Sequence, residues 1–138
     1  MFDNKRQTLA IDNAKIGITF ATESYSKRIS PGKLDSLAVN NKPDDLNIML
    51  IHQPSNIVVN ESVKRGYDLI LAGHTHGGQE TFLFPFLNLT PTMVETMRIK
   101  GDFDLGKTML VICPGLGMSI APVRYNSTPG IEVIDIKK

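Results

Sequence analysis

Apolar residues along this chain fall into short runs of two kinds, separated by turn-forming residues. Near the start the pattern alternates. Leu9 to Ile11 and Lys15 to Ala21, with Ile16, Ile18 and Phe20 at every second position, predict two short strands around a turn at Asn13. Residues 1–8 precede this pattern and are expected to be disordered. Further on the runs become continuous: Leu46 to Ile51 (LNIMLI) and Asp68 to Ala72 (DLILA) read as strands covered on both faces. Between them, Ser55 to Arg65 predicts a helix closed by Gly66 as its C-terminal cap. Strand, helix, strand is a βαβ unit with a parallel sheet. A shorter helix is expected earlier, from Ser30 as N-cap and Pro31 at the first helical position to about Val39, with a loop over Asn40 to Asp45.

The second half is expected to add to the same sheet. Ile99 to Phe103, Thr108 to Cys113 and Ile131 to Ile136 predict strands, with Gly106-Lys107 as a tight hairpin between the first two. Phe82 to Leu89 (FLFPFLNL) is apolar but broken by Pro85. No repeat or Gly/Ser linker divides the chain, so residues 1–138 predict one α/β domain with a mixed sheet, a βαβ unit followed by C-terminal hairpin strands.

Charge and composition narrow the field. Fifteen basic against fourteen acidic residues argue against nucleic acid as a partner, since such modules concentrate basic charge on one face. Cys113 is the only cysteine, which excludes an internal disulfide. Asn-x-Ser/Thr triplets at Asn60, Asn88 and Asn126 are too short to carry weight. The sequence shows neither a signal peptide nor an apolar stretch long enough to span a bilayer. The expected location is therefore cytoplasmic or peripheral to a membrane.

Each of the two continuous strands empties into a histidine-bearing loop. The first ends in His52-Gln53-Pro54, the second in Gly73-His74-Thr75-His76-Gly77-Gly78. Ligands of parallel sheets gather at the carboxyl ends of strands, so all three histidines are expected at one edge. In extended backbone His74 and His76 project to the same side, and the glycines let the chain turn with little bulk. Neutral imidazole is a common ligand of zinc and iron. A lone histidine is more often structural; three placed at bends after buried strands favour metal binding. Other candidates stay open. Gln79 either orients a histidine through a hydrogen bond or stabilises the turn. Arg124 either binds a substrate phosphate or pairs with a surface acid.

The stretch GHTHGGQ, downstream of a strand ending in His-x-Pro, resembles the C-terminal half of the calcineurin-like metallophosphoesterases. The likeness is to their bacterial branch of membrane-associated phosphohydrolases. CPGLGMSIAPVRYNSTPGIEVIDI, from Cys113 to Ile136, is similar to that branch's closing segment, and the resemblance spans about Asn47 to Ile136. It implies a two-layer sandwich and two divalent ions (Mn, Fe or Zn) about 3.5–4 Å apart, which activate water for phosphoester hydrolysis. It implies that His52 and His74 ligate one ion and His76 the other. For Phe82 to Leu87 it suggests a lip near the site that meets membrane lipid or an acyl chain, against the alternatives of a packed core loop or surface exposed by the missing half.

The family's upstream motifs, Asp-x-His, Gly-Asp-x-x-Asp and Gly-Asn-His, do not occur here. Gly101-Asp102-Phe103-Asp104 has the wrong spacing for the second of them and lies after the GHTH stretch. The chain is thus expected to be an incomplete, C-terminal half of a metallophosphoesterase domain, a hydrolase by family but inactive alone. It is expected to hold at most one ion, zinc on the three histidines. Its expected partner is the missing N-terminal half or a second copy of itself, a homo-oligomer covering apolar surface left open. Substrates of the complete enzyme would be small phosphoesters or lipids. The alternative is a non-catalytic oligomerising or interaction domain derived from the same fold. A His-x-His barrel enzyme would need about 250 residues and is excluded by length.

Overall fold

The computed structural model describes residues 3–37, 44–83, 88–120 and 122–137. Strands β1 (Lys5–Ile11) and β2 (Ala14–Ala21) form an antiparallel hairpin. β2 runs parallel to β3 (Leu46–Ile51), and β3 to β4 (Leu69–Ala72). Two pieces of helix connect them, α1 (Pro31–Ser36) and α2 (Asn56–Lys64). A two-stranded ribbon, β5 (Phe82–Leu83) with β6 (Asn88–Leu89), stands apart. β7 (Gly101–Asp104) and β8 (Met109–Ile112) form a second hairpin, and β8 lies parallel to β4. The main sheet therefore runs β1-β2-β3-β4-β8-β7. The fold is mixed α/β, as the pattern predicts, with the βαβ unit at its centre.

Local chemistry explains the element ends. Ser30 and Ser55 each accept a hydrogen bond from a first-turn amide, Lys33 and Val58, and Pro31 opens α1. Gly66 takes φ +76° just past α2, which lets the chain turn into β4. The expected end of α1 at Val39 and most of the following loop lie outside the described residues, as do positions 84–87 of the apolar FLFPFLNL stretch.

Two expectations fail. Residues 5–8 are not disordered: they pair with β2, and Arg6 anchors them. Its guanidinium reaches Asp44 and Asn47, both at 2.5 Å, and Thr19 at 3.2 Å. Gly17 makes room for this, because a Cβ there would stand 1.9 Å from the Arg6 terminal nitrogen. Ile131 to Ile136 is not a strand, since 131–137 pairs with neither sheet edge and Val133 is 90% exposed. Alternating apolar residues suit a strand, but a strand also needs a neighbour to take its backbone hydrogen bonds.

The two faces of the sheet differ. One is covered by helices: Met49, Ile51, Ile70, Ala72, Leu110 and Ile112 pack under Leu34, Val58 and Val59. On the other, Ile48, Leu69 and Val111 are ringed by Ile16, Ile18, Leu46 and Leu71, all of them strand residues. Register puts Leu50 beside Leu71 and Met109 beside Leu69 on this face, 38% and 41% exposed. No described helix is long and apolar enough to cross a membrane.

Candidate functional site

The carboxyl ends of β3 and β4 bring two histidines together. His52 follows Ile51 directly, and its carbonyl accepts the Gly73 amide at 3.1 Å, tying the two loops edge to edge. His52 Nε2 lies 3.1 Å from His74 Nδ1, with ring centroids 4.8 Å apart. Burial and the neighbouring imidazoles of His74 and His76 hold the His52 pKa below its ordinary value, which favours the neutral ring.

The loop after β4 is not extended. His74, His76 and Gln79 sit at φ +71°, +49° and +39°, with Thr75 helical between the histidines. Non-glycine residues rarely adopt such backbone. Here tertiary bonds hold it. Thr75 is buried, and its hydroxyl donates to the Ile99 carbonyl at 2.5 Å. Gly77 has φ +63° and lies so close to the 114–127 segment that a Cβ would meet Pro114 Cβ and Ser127 Oγ at 2.9 Å. The i, i+2 argument from extended geometry therefore does not apply, yet all three histidines line one cavity of about 600 Å³.

Hydrogen-bond partners decide which ring nitrogens carry the proton and which keep a lone pair. His74 Nε2 is 3.1 Å from Glu95 Oε2, and a carboxylate only accepts, so this nitrogen carries the proton and Nδ1 is left with its lone pair. His76 Nδ1 is 3.1 Å from the Gly117 carbonyl, so the same reasoning leaves its Nε2 free. Glu95 also accepts from Gln53 Nε2 at 2.6 Å and from the Tyr25 hydroxyl. That last bond pushes the Tyr25 phenol up to about 12.

Glu95 is a site residue that the sequence reading missed. It ends a 3-10 turn, Pro91–Val94, in a segment without clear periodicity, and its partners come from distant parts of the chain.

Of the remaining candidates, Gln79 lines the same cavity and Arg124 braces the histidine loop. Gln79 brackets Ser119, donating from Nε2 to its carbonyl at 2.7 Å and accepting its amide at 2.6 Å. The Arg124 guanidinium reaches main-chain carbonyls: NH1 to His76 at 2.8 Å, NH2 to Pro114, Gly115 and Gly117 at 3.1, 3.0 and 2.5 Å. Ser127 Oγ lies 3.0 and 2.8 Å from the His76 and Gly77 carbonyls.

The donor set can be tested against a metal. Two nitrogens bound to one zinc at about 2.0–2.1 Å stand roughly 3.3 Å apart in tetrahedral geometry. The His52–His74 separation of 3.1 Å, across which His52 Nε2–H donates to His74 Nδ1 in the metal-free chain, is close to that of two such ligands once this proton is displaced. A third does not join them: among the described residues no group of three histidine, cysteine or acidic side chains is arranged to hold an ion. The single zinc on three histidines is thus not assembled, because His76 is drawn toward the Gly117 carbonyl instead.

Comparison with known proteins finds several relatives named as metallophosphoesterases. It is 34% identical over 91 residues to an uncharacterized metallophosphoesterase of Campylobacter jejuni, covering 65% of this chain and 22% of that protein. It is 32% identical over 90 residues to an uncharacterized metallophosphoesterase of Bacillus subtilis, covering 65% and 30%. A putative metallophosphoesterase of Caenorhabditis elegans is 32% identical over 128 residues, covering 88% and 26%. The chain spans about a third or less of the length of the curated relatives it matches. No family model matches it, and no solved structure gives a significant match.

Proposed function

The chain belongs with the metallophosphoesterases that it matches over about two thirds of its length, and from that premise we propose that it supplies one wall of a phosphoester-hydrolysing site. The observation that carries this reading is the approach of His52 Nε2 to His74 Nδ1 at the ends of adjacent parallel strands. These two nitrogens would share one divalent ion, and His76 would present its free Nε2 to a second. Divalent ions (Mn, Fe or Zn) bound there would supply a lowered water pKa and charge to neutralise phosphoryl oxygens. The chain's own residues prepare that chemistry. Glu95 and the Gly117 carbonyl fix which ring nitrogens keep a lone pair, and Arg124 holds the His76 loop in place.

The opposite wall is carboxylate-bearing in the reading proposed here, and the chain lacks the motifs that would build it. Neutral imidazoles alone do not offset two dications. The isolated chain is then inactive, and hydrolysis requires the rest of the domain, with a small phosphoester or a lipid as substrate. Assay of bis-p-nitrophenyl phosphate with manganese tests this. The chain alone should show only background turnover. Adding the domain half that carries Asp-x-His, Gly-Asp-x-x-Asp and Gly-Asn-His should restore activity, and activity that survives His74→Ala in the restored enzyme would refute the reading.

A second reading, a non-catalytic interaction domain, is favoured by a separate observation. The strand-only face around Ile48, Leu69 and Val111 is apolar, and residues 131–137 belong to neither sheet. Either the missing half or a second copy of the chain would cover both. Under this reading the chain oligomerises and the restored enzyme is no more active than the chain alone.

A further inference from the structure

We propose that Glu95 is a positioning residue, which locks the His74 imidazole in the Nε2–H tautomer and so turns the Nδ1 lone pair toward His52. The inference rests on the phosphoesterase reading above and adds a residue that no motif of the sequence marks.

Three observations support it. Glu95 Oε2 lies 3.1 Å from His74 Nε2, and both side chains are largely enclosed, 16% and 13% exposed. Histidine ligands of metals commonly donate their second ring N–H to a carboxylate, which sets the tautomer and raises the basicity of the ligating nitrogen. The carboxylate is itself held, by Gln53 from the loop after β3 and by Tyr25 from the loop after β2. Gln53 is buried and follows His52 directly, so one pair of neighbouring residues supplies both the partner of His74 and the brace of its orienting group. Tyr25 also packs edge-on against His74, at 4.9 Å between centroids. Three side chains from three loops, Glu95, Gln53 and Tyr25, thus fix a single ring.

A neutral histidine without the carboxylate would exchange between tautomers, and only one of them offers Nδ1 as a donor atom. Glu95 removes that competition. Its charge also lies on the far side of the ring from His52, where it strengthens the lone pair without occupying a ligand position.

The test reads the tautomer and the metal separately, on the full chain. Two-bond 1H–15N correlation of the metal-free protein should show His74 as Nε2–H, and Glu95→Ala should give a mixture or the Nδ1–H form. Zn2+ titration against a chromophoric chelator should show affinity falling about 10–100-fold in Glu95→Ala. Glu95→Gln keeps an acceptor for Nε2–H and should retain the tautomer, with a loss below about tenfold. Thermal melts control for folding, and if Glu95→Ala does not fold, the wild-type spectrum and Glu95→Gln still decide. A wild-type His74 in the Nδ1–H form, or unchanged tautomer and affinity in Glu95→Ala, overturns the inference. Zn2+ binding that is indifferent to His74→Ala overturns the phosphoesterase reading instead, while the metal-free tautomer measurement continues to test Glu95.

Discussion

Replacing Arg124 by methionine keeps much of the side chain's length and removes its guanidinium, which in the fold reaches four main-chain carbonyls. Hydrogen bonds from a charged donor contribute about 1.5–3 kcal/mol each to net stability, and adjacent ones do not add in full. The Gly117 end is exposed, so its carbonyl recovers water when the arginine is gone. The His76 and Pro114 carbonyls lie deeper and would be left without that donor. Counting those two and discounting the rest gives a loss of about 3 kcal/mol. For 138 residues the unfolding entropy near the midpoint is about 0.3 kcal/mol/K, so the melting temperature should drop by about 10 °C. Lysine at this position keeps the charge but loses the planar fork, and should fall between. Differential scanning calorimetry with and without 20-fold excess phosphate over protein (on the order of millimolar) separates the two roles open to this arginine. If it is a structural rivet, the melting temperature drops without phosphate. A shift below about 2 °C, coupled to loss of phosphate-dependent stabilisation, would refute the reasoning and return Arg124 to the substrate.

Other expectations follow from the same geometry. Gly77→Ala places a methyl group 2.9 Å from Pro114 and Ser127 at φ +63°, and should destabilise by about 2–4 kcal/mol in urea unfolding; a neutral effect would mean the loop is not packed as described. Tyr67→Phe removes a buried hydroxyl that meets Thr19 and the Leu37 carbonyl at 2.9 and 2.8 Å, a loss of about 1 kcal/mol. Burial raises the Tyr67 pKa in the folded chain. Its contribution is therefore fully present below the unfolded value of about 10 and is lost as pH climbs past it; the alkaline fall in melting temperature should be shallower in Tyr67→Phe than in the wild type. Leu50→Glu puts a charge on the strand-only face and should shift the sedimentation profile toward monomer, whereas unchanged association would place the contact elsewhere.

What could be read in the chain was what depends on local pattern. β3 has the bounds of its continuous apolar run, and α2 those of Ser55 and Gly66, because burial on both faces and end-capping are short-range rules. The shared edge of His52 and His74 follows from the same βαβ logic. The left-handed backbone at His74 and His76 was not legible, since bonds from Ile99, Arg124 and Ser127 select it over extended chain. Glu95 was invisible for a similar reason: it stands 21 residues from His74 and 42 from Gln53. The Ile131 to Ile136 pattern misled in the opposite direction, because alternation describes a strand's faces and says nothing about whether a neighbour exists. Arg6 could not be tied to Gly17 without the register of the hairpin.

The order of strands in the main sheet bears on how the cavity comes into being. Every neighbouring pair is consecutive in the chain except β4 with β8. The excursion between those two strands carries His74, His76, Gln79 and Glu95, while β1 to β4 can pair successively as the chain emerges. Closing the long excursion is the slow, entropically opposed step, and its reward arrives only when Leu110 and Ile112 reach the helix-covered core. The cavity walls are therefore stitched at the last seam of the sheet, and any change that loosens β8 should open the site before it unfolds the hairpin at the other edge.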